Sequence, residues 1–187
     1  MLNALISALR PVRFDEPVVV LDLETSGLDP AKDRILAVAA VPVEGHRVLL
    51  HQRFERLVHD QGPVNPEAIR HHRLRPLDVR GGAPLDQVMS DLVGWIADRP
   101  LVGYATAFDL AFLSRALSPL GLRLPRRHAD VRNLQQQRDA RRQPESASPQ
   151  RFEQLAQTLG VPIIGRHEAL GDAVTTALMW IALGHSA

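Results

Sequence analysis

The strongest constraint on this chain is an apolar, β-branched run that ends in two alternating acids, Val18-Val19-Val20-Leu21-Asp22-Leu23-Glu24-Thr25-Ser26-Gly27-Leu28. A run of this composition reads as a buried strand, and Gly27 punctuates its end. Side chains alternate along a strand, so Asp22 and Glu24 point to one face. Two carboxylates sharing the buried end of a strand repel each other and lose hydration. A hard divalent cation relieves that conflict, because Mg²⁺ prefers a few carboxylate oxygens and water. The plainer alternative is a strand that emerges into solvent and ends in ordinary surface acids.

Alternating elements follow. Strands are predicted over Val18–Leu23, Ile35–Val43 and Val48–Leu57, with Glu44-Gly45-His46 turning the last two into a hairpin. A proline- and histidine-rich connection runs from Gly62 to Pro84. Apolar residues at helical spacing predict helices over Leu85–Ala97 and Phe108–Leu120, separated by a short strand at Leu101–Tyr104. A strand at His128–Val131 and a polar helix at Arg132–Arg142 come next. An exposed loop at 141–150 leads to helices at Arg151–Leu159 and Ala169–Leu183. Leu170, Val174, Ala177, Leu178 and Ile181 mark the expected buried face of the last helix. The pattern implies an α/β fold around a mixed sheet, with residues 1–16 as an N-terminal extension and 17–187 as a single domain.

Two further acids fall at element boundaries. Asp109 stands where a helix follows a strand, a position that suits a capping residue as well as a ligand. In open α/β sheets the site lies beyond the carboxyl ends of the strands, so Asp22, Glu24 and Asp109 can meet there. Asp172 projects from the first turns of the last helix. His167 precedes it in a Gly165-Arg166 turn expected to swing freely, and a histidine can accept a proton from an attacking water near neutral pH. Taken singly, these residues read as a helix-dipole aspartate and a loop histidine.

Composition narrows the chemistry. The chain has no cysteine, so any metal must be held by oxygen or nitrogen. No segment approaches the roughly 20 apolar residues of a membrane span, and Met1–Arg10 lacks a signal peptide's long apolar stretch, so the expected location is cytoplasmic. Lys32 is the sole lysine, and two arginine-rich stretches, 70–80 and 123–151, are candidates for phosphate contact. Aromatics make up only 4% of the chain, which argues against a broad base-stacking platform.

The segments Asp22-Leu23-Glu24-Thr25-Ser26-Gly27-Leu28, Phe108-Asp109-Leu110-Ala111-Phe112-Leu113 and His167-Glu168-Ala169-Leu170-Gly171-Asp172 resemble, in order, three motifs of the DnaQ-like 3′–5′ exonucleases, the family of the DNA polymerase III epsilon proofreading subunit. The histidine five positions before the last aspartate is similar to that of the DEDDh branch. Smaller matches are Asp33-Arg34-Ile35-Leu36, Pro66-Glu67-Ala68-Ile69, Leu155-Ala156 and Leu159-Gly160. The resemblance implies a ribonuclease H-like fold with a mixed five-stranded sheet flanked by helices on both faces. It also implies two divalent ions, Mg²⁺ or Mn²⁺, on Asp22, Glu24, Asp109 and Asp172, with His167 as general base. Leu23, Thr25 and Phe108 would contact the substrate, a nucleic acid with a free 3′ end, DNA favoured over RNA, and the products would be nucleoside 5′-monophosphates. Alternatives are an exoribonuclease trimming RNA ends and a non-catalytic nucleic-acid-binding module. Many relatives carry His-Asn where this chain has Tyr104-Ala105, which removes polar contacts from the implied pocket but leaves the acids untouched. The relatives' Ile-His-Gly-Ile corresponds here to His71-His72-Arg73-Leu74. A polymerase is a candidate partner, although the chain shows no tail after its last helix to tether one.

Overall fold

The computed structural model describes residues 10–185 except 64, 73, 144, 146 and 147; residues 1–9 of the amphipathic N-terminus and Arg73 of the first basic stretch lie outside the described residues. The strands are β1 (Val18–Thr25), β2 (Ile35–Glu44), β3 (Arg47–Val48), β4 (Phe54–Leu57), β5 (Leu101–Gly103) and β6 (His128–Asp130). The helices are α1 (Pro66–His72), α2 (Pro76–Val79), α3 (Leu85–Ile96), α4 (Ala107–Leu117), α5 (Val131–Arg142), α6 (Phe152–Leu159) and α7 (Ala169–His185). The sheet is ordered β3-β2-β1-β5-β6, with β4 also on the outer edge of β2. β1 runs antiparallel to β2 and parallel to β5, which runs parallel to β6.

Alternation along β1 divides the core into two layers. Val19, Leu21 and Leu23 pack with Val88, Met89 and Leu92 of α3 and Phe112 and Leu113 of α4. Val18 and Val20 face the other way, toward Phe152 and Leu155 of α6 and Ala177, Trp180 and Leu183 of α7. Asp22 and Glu24 continue this second series, so both project toward the N-terminus of α7. Opposite them on β2 stand Ala39 and Ala37, whose small side chains pack with Ala169 and Leu170. Small residues on both sides let α7 come close to the strand at the acids.

The sheet has six strands rather than five because the single strand expected over Val48–Leu57 is two. β3 pairs with residues 43–44 of β2 and β4 with residues 37–40, and Leu50–Gln52 forms a 3-10 turn between them. Pro42 accounts for the break. The Leu49 amide donates to its carbonyl at 2.9 Å on that outer edge, so the amide proline lacks would have pointed the same way. The connection 62–84 is likewise not featureless, since α1 and α2 each open on a proline, which is favoured at the first helical residue. In α7 the buried face is Asp172, Ala173, Thr176, Ala177, Trp180 and Leu183, while Leu170, Val174, Leu178 and Ile181 are only half-buried. At the start of the helix, beside the acids, the buried positions are small (Ala169, Gly171 and Ala173), and the large buried side chains, Met179, Trp180 and Leu183, come later.

Segment 10–16 packs on this body. The Phe14 ring lies 4.3 Å from that of the fully buried Trp180, and Glu16 pairs with Arg127, with one bond at 2.8 Å. Replacing Phe14 by Ala is expected to destabilise the fold by about 2 kcal/mol, roughly half the value for a wholly buried phenylalanine. Urea unfolding measures this, and an unchanged midpoint would show that the segment contributes nothing to the core.

Candidate active site

The acids gather at the carboxyl ends of β1 and β5. One oxygen each of Asp22, Glu24 and Asp172 lies within 4.8 Å of the others. Asp109, in the first turn of α4, is buried and reaches the same edge, where it faces Asp22 and the Leu23 amide. Burial, then the charges of Asp109, Glu24 and Asp172, push Asp22 well above the usual carboxylate range. Burial, reinforced by Asp172, pushes Glu24 up to about 8. Asp109 also rises to about 8, mainly through burial, against the opposing pull of its own amide and that of Leu23. Burial raises Asp172 as well, while Arg166 draws it down. Crowding and desolvation act together, as they must where several carboxylates share a dry edge.

The donors suit a hard divalent cation. All are carboxylate oxygens, and Asp172 Oδ1 is buried without a hydrogen-bond partner. Among the described residues, this is the group of three or more acids and histidines close enough to hold a metal.

Beside the acids is a cavity of about 250 Å³, lined by Leu23, Glu24, Thr25, Leu28, His72 and Phe108 among others. The three residues expected to contact substrate therefore share one wall with Glu24. A second cavity of about 370 Å³ also includes Glu24 and His72, and extends past Ala37, Ala39 and Arg56 to Glu168 and Leu170. The loop after β1 keeps the first cavity in shape. Asp33 accepts from the Asp29 amide at 2.9 Å and from Ser26 Oγ at 3.1 Å, and Arg34 forms a two-pronged pair with the buried Asp60 at 2.6 and 3.0 Å. The smaller motif Asp33-Arg34 is thus a scaffold for the cavity wall.

Two features escaped the sequence reading. Asp130 accepts from the amides of Ala105 (3.2 Å), Thr106 (3.1 Å), Arg132 (2.9 Å) and Asn133 (3.3 Å). It caps α5 and pins the turn into α4, where Ala105 is held at φ 54°, a left-handed conformation costly for alanine. The capping part was legible, since an aspartate precedes the helical pattern. Tyr104 turns toward α6, its hydroxyl donating to the Gln150 carbonyl at 2.7 Å and its ring 5.1 Å from that of Phe152. The second feature is Arg166. Its Nε donates to Glu153 at 2.6 Å and its Nη1 to Asp172, so the turn carrying His167 is anchored rather than free to swing. His167 sits at φ 66°, and its amide points to Asp172 Oδ2 at 3.3 Å.

An all-carboxylate cluster on the carboxyl edge of this mixed sheet, with helices on both faces, places the molecule in the ribonuclease H-like class. Residues 19–179 match the RNase T family model described as Exonuclease, and the chain belongs to that family of DnaQ-like 3′–5′ exonuclease enzymes. The chain is 26% identical over 169 residues to the PolC-type DNA polymerase III of Halalkalibacterium halodurans, which covers 89% of this chain and 11% of that protein. It is 24% identical over 165 residues to the PolC-type enzyme of Caldanaerobacter subterraneus, covering 88% and 11%. The chain therefore spans about a tenth of the length of these relatives. In fold it is similar to zinc-bound E. coli exonuclease I in complex with single-stranded DNA, with TM-score 0.76, 18% identity, and coverage of 92% of this chain and 41% of that one. Exonuclease I from Methylocaldum szegediense aligns with TM-score 0.71 at 18% identity, over 86% of this chain and 38% of that one.

The raised carboxylates make a pH prediction. Glu24 and Asp109, at about 8 in the folded chain, hold protons that the unfolded chain releases above about pH 4. Their contribution to stability is complete below about pH 4 and is lost as pH rises through about 8. A divalent cation removes the repulsion that costs this stability. The gap in melting temperature between Mg²⁺-containing and chelator-containing samples is thus expected to widen from pH 4 to pH 8. A gap that stays at zero across that range would contradict the metal assignment.

Proposed function

We propose that this chain hydrolyses DNA from its 3′ end, releasing nucleoside 5′-monophosphates, with Asp22, Glu24, Asp109 and Asp172 holding two divalent ions, Mg²⁺ or Mn²⁺. The observation that carries this reading is the gathering of Asp22, Glu24 and Asp172, with the buried Asp109 acting on Asp22, beside a cavity lined by Leu23, Thr25 and Phe108, in a chain of the exonuclease family. Bound ions of this kind activate water at neutral pH and offset the charge that builds on the phosphoryl oxygens.

The chain's own residues do the rest. Leu23 and Thr25 lie beside the terminal nucleotide and Phe108 near the penultimate base, and all three line the cavity next to Glu24. His167 takes the proton from the attacking water and is well suited to do so near neutral pH. Arg75, Arg127 and Arg138 are committed to Asp78, Glu16 and the Leu183 carbonyl, whereas Arg70, Arg80, Arg123, Arg126, Arg141 and Arg142 are exposed and available to phosphates. DNA is the favoured substrate because the similar proteins include PolC-type DNA polymerases and an exonuclease I bound to single-stranded DNA. Residues 17–187 act in this reading as one exonuclease domain behind the 1–16 extension, and a DNA polymerase is the candidate partner. No helix among the described residues is long and apolar enough to cross a membrane.

Matched single-stranded DNA and RNA oligomers, labelled at the 5′ end, test the proposal. A metal-dependent ladder that shortens from the 3′ end, faster on DNA, is the expected result; faster RNA trimming would favour the exoribonuclease alternative. Asp22→Ala and Asp172→Ala are expected to abolish cleavage, and His167→Ala to lower kcat by ~10²–10⁴-fold, the usual weight of a general base. Wild-type turnover in any of these variants would refute the role assigned to that residue.

A further inference from the structure

Arg166 occupies an unusual place. It lies between two residues with left-handed backbone, Gly165 (φ 53°) and His167 (φ 66°). Its guanidinium stacks over the ring of the buried Phe152 at 4.2 Å, donates through Nε to Glu153 at 2.6 Å, and donates through Nη1 to Asp172 Oδ2. One planar side chain therefore joins α6 to the first turn of α7, across the loop that carries His167. The stack continues behind it, with Tyr104 against Phe152 at 5.1 Å and Arg132 over Tyr104 at 5.6 Å.

The two oxygens of Asp172 have different surroundings. Oδ2 takes the Arg166 bond and the His167 amide, while Oδ1 is buried and has no hydrogen-bond partner. A carboxylate clamped through one oxygen can rotate little, so the direction of the other is set. The loop can sit this close to α7 because residue 171 is glycine: a Cβ there would come within 2.2 Å of the Gly165 carbonyl.

We propose that Arg166 is a positioning residue that engages Asp172 Oδ2, reserves Oδ1 for a divalent cation, and holds His167 in its turn. This rests on the reading of the acidic cluster as a metal site. Charge alone predicts the opposite behaviour, because a guanidinium beside a cation site repels the cation. The Glu153 carboxylate offsets that repulsion, leaving orientation as the dominant effect. Lysine cannot replace the arginine, since a single ammonium lacks the fork that spans Glu153 and Asp172 while lying flat on Phe152.

Mn²⁺ binding to the 187-residue chain, followed by the electron paramagnetic resonance signal of free Mn²⁺, separates the two accounts. Positioning predicts that Arg166→Gln weakens Mn²⁺ binding by roughly 10–100-fold, the usual effect of losing an outer partner of a metal ligand. It also predicts weaker binding by Arg166→Lys, which keeps the charge and serves as the probe should the Gln variant fail to fold. Melting curves establish that each variant is folded. Binding by Arg166→Gln equal to or tighter than wild type, or wild-type affinity in Arg166→Lys, would overturn the positioning role while leaving the metal site standing. Failure of the wild-type protein to bind Mn²⁺ would overturn both.

Discussion

Mutual repulsion among carboxylates that are half-buried (Asp22, Glu24) or buried (Asp109, Asp172) is the constraint around which this molecule is organised. Asp22 and Glu24 share one face of the central strand because they are two residues apart, and that face is covered by α7. Asp109 and Asp172 arrive from two different helices and add to the crowding. Nothing in an ordinary hydrophobic core would retain such an arrangement, since each acid loses hydration and faces like charge. The surrounding fold makes room for it with Ala37 and Ala39 on β2, Ala169 at the start of α7, and a glycine at position 171.

The loops beside the acids are fixed by charged side chains rather than by apolar packing. Asp130 gathers four backbone amides and locks the turn from β5 into α4, which sets where Asp109 stands. Arg166 does the corresponding work on the opposite side, between α6 and α7. Both turns hold a non-glycine residue in left-handed backbone, Ala105 and His167, and such conformations persist only where the surroundings over-determine them. Rigidity at the rim is thus concentrated where the acids need to keep their relative positions.

Local patterns were legible in the sequence; features that depend on two distant segments were not. The alternation of Asp22 and Glu24 and the helical spacing in α3 and α4 are properties of short windows, and the structure has them where the pattern puts them. The break between β3 and β4 was legible in principle through Pro42, but only once β2 was known to lie beside them. The buried face of α7 was placed only in part: Ala177 is buried as the pattern has it, but hydrophobicity passes over Ala173 and Thr176 in favour of Leu170, Val174, Leu178 and Ile181, which are half-buried. α1 and α2, of 7 and 4 residues, are too short to show periodicity. The pairing of Arg166 with Glu153 joins residues 13 apart on separate elements, and no local signal announces it.

The central claim is that the four acids exist to hold divalent ions at the end of β1. Anomalous diffraction from crystals of the protein soaked in Mn²⁺ tests it directly. The account predicts anomalous peaks among the carboxylates of Asp22, Glu24, Asp109 and Asp172, with Asp172 bound through Oδ1. Mn²⁺ bound only elsewhere, or no anomalous density at this edge of the sheet, would contradict it.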